Sequence, residues 1–230
     1  MKAHLCLEEN TNGVDWVVAD IHGCHEQLMD KLNHVGFDFN KDRLICSGDL
    51  VDRGNDSLAV VKLLDEKWFY STIGNHEMMC IDAYKHDWAV NIYAQNGGMW
   101  FFSLHQCEQD AVIMRLLGLP LTIRFSVGEK RDIVVHARIP RDDAWNRSMQ
   151  TSQSFCEIPE DYIQTAVWDR HFTNPFNPTQ VVEGYDIVFC GHTVLDKPGT
   201  LANYLNLDTG VVFDETKDFV IYNTKTEEIV

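Results

Sequence analysis

Basic side chains are scarce in this chain: 19 Lys and Arg stand against 35 Asp and Glu in 230 residues, a formal net charge of -16. Nucleic acids and anionic membrane surfaces are recognised through basic faces, so this balance excludes both as broad partners. Long apolar runs are missing as well, and none approaches the ~20 residues of a membrane helix. Met1 to Asn10 holds one Lys, two Glu and no apolar stretch, which predicts no secretory signal. The seven Cys form no Cys-x-x-Cys pair, and Cys46 and Cys190 stand inside apolar runs as core thiols do. A reduced, cytoplasmic protein is expected. Internal repeats, linkers and low-complexity tracts are also absent. What remains is ordinary for a globular protein, 45% apolar and 23% charged, and long enough for one domain with a substantial core. A monomer is the default expectation.

The first quarter alternates strand and helix. Trp16–Ala19 reads as a strand, Asp20–Gly23 as a turn, and Leu28, Leu32 and Val35 as one face of a helix ending near Gly36. Leu44–Ser47 is a second strand, Ser57–Leu64 a second helix and Trp68–Ile73 a third strand. This β-α-β-α-β order predicts a layered α/β core. From Met78 to about Leu117 the period is helical, broken at Gly97-Gly98. Strands return around Leu121–Val127, and Gly128–Asp132 turns the chain into Ile133–His136. Between Ile139 and Val182 the apolar pattern weakens and four Pro appear, so surface loop and short helix are expected, with substrate contacts there. Asp142-Asp143 and Glu160-Asp161 read as solvated loop charges. Strands are expected again at Asp186–Cys190, Leu201–Leu207, Val211–Phe213 and Asp218–Tyr222.

Five of the apolar runs end in potential ligands. Asp20 and His22 lie two apart and project from one face of a strand end. A carboxylate with an imidazole suits Mn, Fe or Zn better than Ca. Asp49, inside Gly48-Asp49-Leu50-Val51-Asp52-Arg53-Gly54, has two oxygens and is the candidate bridge between two cations. Asn75, His136 and His192 complete a second site. Two such ions roughly 3.5–4 Å apart would bind a bridging hydroxide and clamp phosphoryl oxygens during in-line displacement. No Cys-x5-Arg run or other nucleophile motif offers a covalent route.

Asp20-Ile21-His22-Gly23, the Gly48–Gly54 run and Gly74-Asn75-His76-Glu77 resemble the signature of the phosphoprotein phosphatase family of metallophosphoesterases. Their spacing is similar to its compact bacteriophage and bacterial branch, the lambda-type protein phosphatases. The similarity extends through Asn96–Phe102, Val135-His136-Ala137, Val167–Arg170, Phe189–Thr193 and Leu207–Gly210, nearly the whole chain. The resemblance implies a single calcineurin-like catalytic domain over residues 1–230, an α/β (α+β) sandwich of two mixed sheets flanked by helices. It implies Asp20, His22 and Asp49 as ligands of one metal and Asp49, Asn75, His136 and His192 as ligands of the other, with manganese the ion usually added. By the same resemblance Arg53 and Arg170 bind phosphate through planar forks, with Asn75 beside them. His76 protonates the leaving oxygen and is oriented by Asp52.

From the residues alone, Arg53 is equally a surface partner of Asp52 or Asp56. Arg138 is a rival phosphate contact, standing where some relatives carry an acid. The implied activity is hydrolysis of phosphoserine and phosphothreonine in proteins or peptides, and of phosphotyrosine in vitro. A dinucleoside-polyphosphate hydrolase with the same centre is the alternative, though Arg53-Gly54 with no following Pro fits the protein-phosphatase branch better. A non-catalytic phosphoprotein-binding module is a third reading.

Overall fold

The computed structural model describes residues 3–140, 145, 157–174 and 179–230. The expected alternation opens it. Strand β1 (His4–Cys6) precedes β2 (Asp15–Val18), α1 (His25–His34), β3 (Arg43–Cys46), α2 (Ser57–Lys62) and β4 (Phe69–Ser71). Helices α3 (Asn75–Lys85), α4 (Asp87–Tyr93), α5 (Met99–Phe102) and α6 (Gln106–Leu116) follow. Then come β5 (Thr122–Val127), β6 (Lys130–Val135), α7 (Glu160–Trp168), β7 (Val188–Cys190), β8 (Gly199–Leu201), β9 (Tyr204–Asn206), β10 (Ile221–Asn223) and β11 (Glu228–Ile229).

The strands form two mixed sheets, β1-β5-β6-β7-β9-β8 and β11-β10-β2-β3-β4. Val17, Ile45, Ile123, Phe125, Val134 and Phe189 alternate inward and make a core between the sheets. The intervening residues Trp16, Val18, Leu44 and Cys46 face the other way, into a core shared with the helices. Both faces of the central strands are thus buried, which is why their sequences read as unbroken apolar runs. Helix α1 inserts Leu28 and Leu32, fully buried one turn apart. Each such side chain contributes about 1.5–3 kcal/mol of hydrophobic burial. Cys46 and Cys190 are core thiols, as their settings predict. No helix among the described residues is long and apolar enough to cross a membrane.

Several elements differ from expectation. Helix α3 starts at Asn75, so Asn75, His76 and Glu77 sit in its first turn, where Glu77 accepts from the Gly74 N–H as a helix cap. The β5–β6 turn is only Gly128-Glu129. Leu201–Leu207 is a hairpin of β8 and β9, reversed at Ala202, whose φ is 56°. Val211–Phe213, read as a strand, is a short 3-10 turn after left-handed Gly210. Strands β1 and β11 carry too little periodicity to stand out. Glu160 and Asp161 are exposed but lie in the first turn of α7, where acids favour a helix N-terminus. Asp142 and Asp143 lie outside the described residues.

Strands β2, β3 and β4 are mutually parallel, as are β6 and β7, so their C-terminal ends collect along one rim. All five predicted ligand-bearing runs end there.

Candidate metal centre

The loops after β2, β3 and β7 leave ordinary backbone space to aim their side chains. His22, Asp49, Asp52, Arg53 and His192 have φ of 47°, 49°, 76°, 69° and 64°. Such left-handed conformations cost about 1–3 kcal/mol each in non-glycine residues and persist only when the surroundings impose them. Glu77 is one source of that constraint. Fully buried, it accepts from Asp49 N (2.9 Å), Leu50 N (2.8 Å), Val51 N (3.3 Å) and Gly74 N (2.8 Å), tying the loop that carries Asp49 to the helix that carries Asn75. Gly74 is obligatory at this junction, because a Cβ there would stand 2.2 Å from Asp49 Oδ1.

Asp20, His22, Asp49, Arg53, Asn75, His76, Arg170, His192 and Asp208 line one cavity of about 140 Å3, with Val194 and Phe213. His136 lies just behind it, its Nε2 2.9 Å from Asn75 Oδ1 and 3.2 Å from His192 Nδ1. Asp49 stands in the middle. Its Oδ2 is 3.6 Å from His22 Nε2 and 4.0 Å from His76 Nε2, and its Oδ1 is 3.5 Å from His136 Nε2. Two groups of potential ligand atoms share this carboxylate, His22–Asp49–His76 and Asp49–His136–His192, each spanning no more than 4.8 Å. Asp20 lines the same cavity but belongs to neither tight group; the His192 N–H binds both its oxygens at 3.1 Å.

The tautomers follow from the outer contacts. His22 Nδ1 donates to Val51 O (2.8 Å) and His136 Nδ1 to Ser47 O (3.0 Å), which leaves each Nε2 with a lone pair aimed inward. At the second group, His136 Nε2 faces Asn75 Oδ1 at 2.9 Å and Asp49 Oδ1 at 3.5 Å, so three lone-pair-bearing atoms converge on one place. Burial, and then the neighbouring charges, hold His22 and His136 well below the usual imidazole range and His192 down at about 4, so all three are neutral. The same burial raises Asp20 and Asp49, which is reinforced by Asp208 beside the first and Glu77 beside the second. Neutral imidazoles with crowded carboxylates are the donor set of divalent first-row ions, and a cation relieves both the converging lone pairs and the buried negative charge. The residues fit a two-cation centre.

Beside it, His76 Nδ1 meets Asp52 Oδ2 at 2.6 Å. Asp52 is held on its other oxygen by Tyr93 OH and Trp100 Nε1, both 2.7 Å away, and its N–H donates to Ser57 Oγ. Burial pushes Asp52 up to about 7 and, with Arg53, pushes His76 down to about 3. One proton therefore sits between Nδ1 and Oδ2, and Nε2 faces the cavity. Arg53 pairs with neither Asp52 nor Asp56 among the described residues. Its Nη1 meets His22 Nε2, and its guanidinium lies against the Phe213 ring. Arg170 opens on the cavity, with Nη1 3.5 Å from His192 O. Arg138 does not: it is buried and faces Asp169 at 3.5 Å.

Sequence reasoning assigned no role to Glu77, Tyr93, Trp100, Asp208 or Phe213. The cap spacing of Gly74 to Glu77 was available as a signal. The others come from segments far along the chain: folding brings Asp208 and Phe213 to the cavity and Tyr93 and Trp100 to Asp52.

The profile of the calcineurin-like phosphoesterases matches residues 16–196. This chain belongs to that family. It is a hydrolase of the metallophosphoesterase class, and its fold is the mixed two-sheet sandwich that the resemblance implied. It is 32% identical over 200 residues to serine/threonine-protein phosphatase 2 of Salmonella typhimurium, covering 85% of this chain and 86% of that protein. It is also 25% identical over 224 residues to the asymmetrical bis(5'-nucleosyl)-tetraphosphatase PrpE of Halalkalibacterium halodurans, covering 86% and 85%. A protein serine/threonine phosphatase structure from Saccharomyces cerevisiae superposes with a TM-score of 0.69 at 16% identity, over 96% of this chain and 76% of that one. That last likeness is one of fold.

Proposed function

We propose that residues 1–230 are a single catalytic domain that hydrolyses phosphoserine and phosphothreonine in proteins or peptides, and phosphotyrosine in vitro. The observation that carries this reading is Asp49, whose two oxygens face two separate groups of imidazoles beside a pair of arginines. Asp20, His22 and Asp49 would hold one divalent cation and Asp49, Asn75, His136 and His192 the other, with manganese, iron or zinc suited to the donor set. Bound there, the ions supply an activated water and a clamp for phosphoryl oxygens.

The protein's own groups do the rest. Arg53 and Arg170 receive the phosphoryl oxygens and orient the ester in line, with the Asn75 amide beside them. The dianion brought to His76 Nε2 favours protonation of an imidazole that burial otherwise keeps neutral, and that proton is delivered to the leaving oxygen. Asp52 keeps the ring in orientation throughout. The relatives named as serine/threonine phosphatases support this choice of substrate. The relatives named as tetraphosphatases favour a second reading, a dinucleoside-polyphosphate hydrolase; a net charge of -16 opposes it, because a polyphosphate is repelled more than a monoester.

The first test is hydrolysis of p-nitrophenyl phosphate by metal-stripped protein. Activity should return with manganese and be lost in Asp49→Asn; silence with every first-row ion overturns the reading. Faster turnover of a phosphothreonine peptide than of diadenosine tetraphosphate is then expected, and the reverse order selects the second reading.

A further inference from the structure

Arg53 is exposed, and among the described residues the fork assigned to phosphate makes no direct hydrogen bond to a carboxylate, with Asp49, Asp52 and Asp208 acting on it only through space. It is nevertheless fixed from three directions. Its own backbone is left-handed, with φ 69°. Behind it runs the Ala94–Gly98 turn between α4 and α5, where Gly97 has φ 102° and a Cβ would come within 2.7 Å of Arg53 N. In front, the Phe213 ring centroid lies 5.1 Å from Arg53 Cζ. Phe213 is 62% exposed at the mouth of the cavity, so packing in the core does not explain the ring.

We propose that Phe213 is a positioning residue for Arg53, its ring holding one face of the guanidinium so that the N–H edge is presented to a phosphoryl group. The proposal rests on the phosphoesterase reading above. A ring stacks on the face of a guanidinium, whereas an anion binds its edge, so the two contacts are compatible. A long Arg side chain gives up rotamer freedom when it grips an anion, and a stack formed beforehand removes part of that loss. His22 Nε2, the other contact of Arg53, cannot serve in this way in the loaded protein, because one lone pair accepts either the guanidinium or a cation. Phe213 competes with neither.

Inorganic phosphate is the probe, with its binding to manganese-loaded protein measured by titration calorimetry and kcat and KM measured on p-nitrophenyl phosphate. Phe213→Ala and Phe213→Leu should each weaken phosphate binding about 2- to 5-fold, the worth of an exposed cation–π contact, and raise KM more than they lower kcat. Phe213→Tyr should restore both. In an Arg53→Ala background, Phe213→Ala should change nothing further. The Tm should stay within about 2 °C, since the ring is mostly exposed. No effect of Phe213→Ala, an equal effect with and without Arg53, or leucine serving as well as tyrosine would each overturn the proposal. Phosphate binding with the coupling intact, but no hydrolysis by the unmodified chain, would sink the catalytic reading and leave this one standing.

Discussion

Removing one hydroxyl tests how the buried Asp52 is held. Tyr93 is fully buried, and Tyr93→Phe deletes its 2.7 Å donation to Asp52 Oδ1 while keeping the ring. Burial raises Asp52 to about 7, and the Trp100 and Tyr93 bonds pull it back toward its usual range. A raised carboxyl makes no demand on the fold below its unfolded value; its penalty grows as pH rises from there toward the folded pKa. Above about pH 7 the carboxylate is ionised, and the lost bond is charge-assisted, worth about 1.5–3 kcal/mol. Below that it is a neutral bond, worth about 0.5–1.5 kcal/mol. For a chain of this length each kcal/mol moves Tm by about 2–4 °C. Paired thermal melts of the two proteins should therefore differ by about 3–12 °C near pH 8.5 and by about 1–6 °C near pH 5.5. All other titrating groups are common to both, so the change in the gap reports Asp52. A gap that is equal at the two pH values, or larger in acid, refutes the ionised Asp52 on which the orientation of His76 depends.

Two other outcomes are expected. His76→Asn should cost turnover by about 10²–10⁴ on an alkyl phosphate and far less on p-nitrophenyl phosphate, whose leaving group needs no proton; equal losses remove His76 from the acid role. Away from the centre, burial and then Arg124 lower His4 to about 4. The unfolded chain takes up that proton first, so His4 contributes full stability above its ordinary pKa and loses it as pH falls toward 4. About 3 kcal/mol is at stake over that window. His4→Gln should flatten the acid side of the stability–pH curve, and an unchanged curve would count against the burial argument.

Much of this protein was legible one residue at a time. Unbroken apolar runs are what strands buried on both faces must look like, and β2, β3, β4, β6 and β7 were found where those runs stood. Polar residues just beyond them had to lie at strand ends, which is why Asp20, Asp49, Asn75, His136 and His192 could be singled out together. Short edge strands were not legible, because three residues of β1 or two of β11 carry no period. Nor was the turn at Val211–Phe213, where an apolar triplet is compatible with strand or helix and left-handed Gly210 makes the choice.

The chain's order of strands and ligands is local information, carried by hydrophobic period and turn chemistry, and the sequence alone determined it. Charge balance likewise belongs to composition. What only the tertiary structure decided is who touches whom across the centre. Glu77 closes on four N–H groups from two loops, Tyr93 and Trp100 reach Asp52 from positions more than forty residues away, and Arg53 turns from the carboxylates beside it to Phe213. Arg138, two residues from a predicted ligand, is turned away from the cavity toward Asp169. Such contacts depend on sheet register and helix placement summed over the whole fold, and no local pattern encodes them.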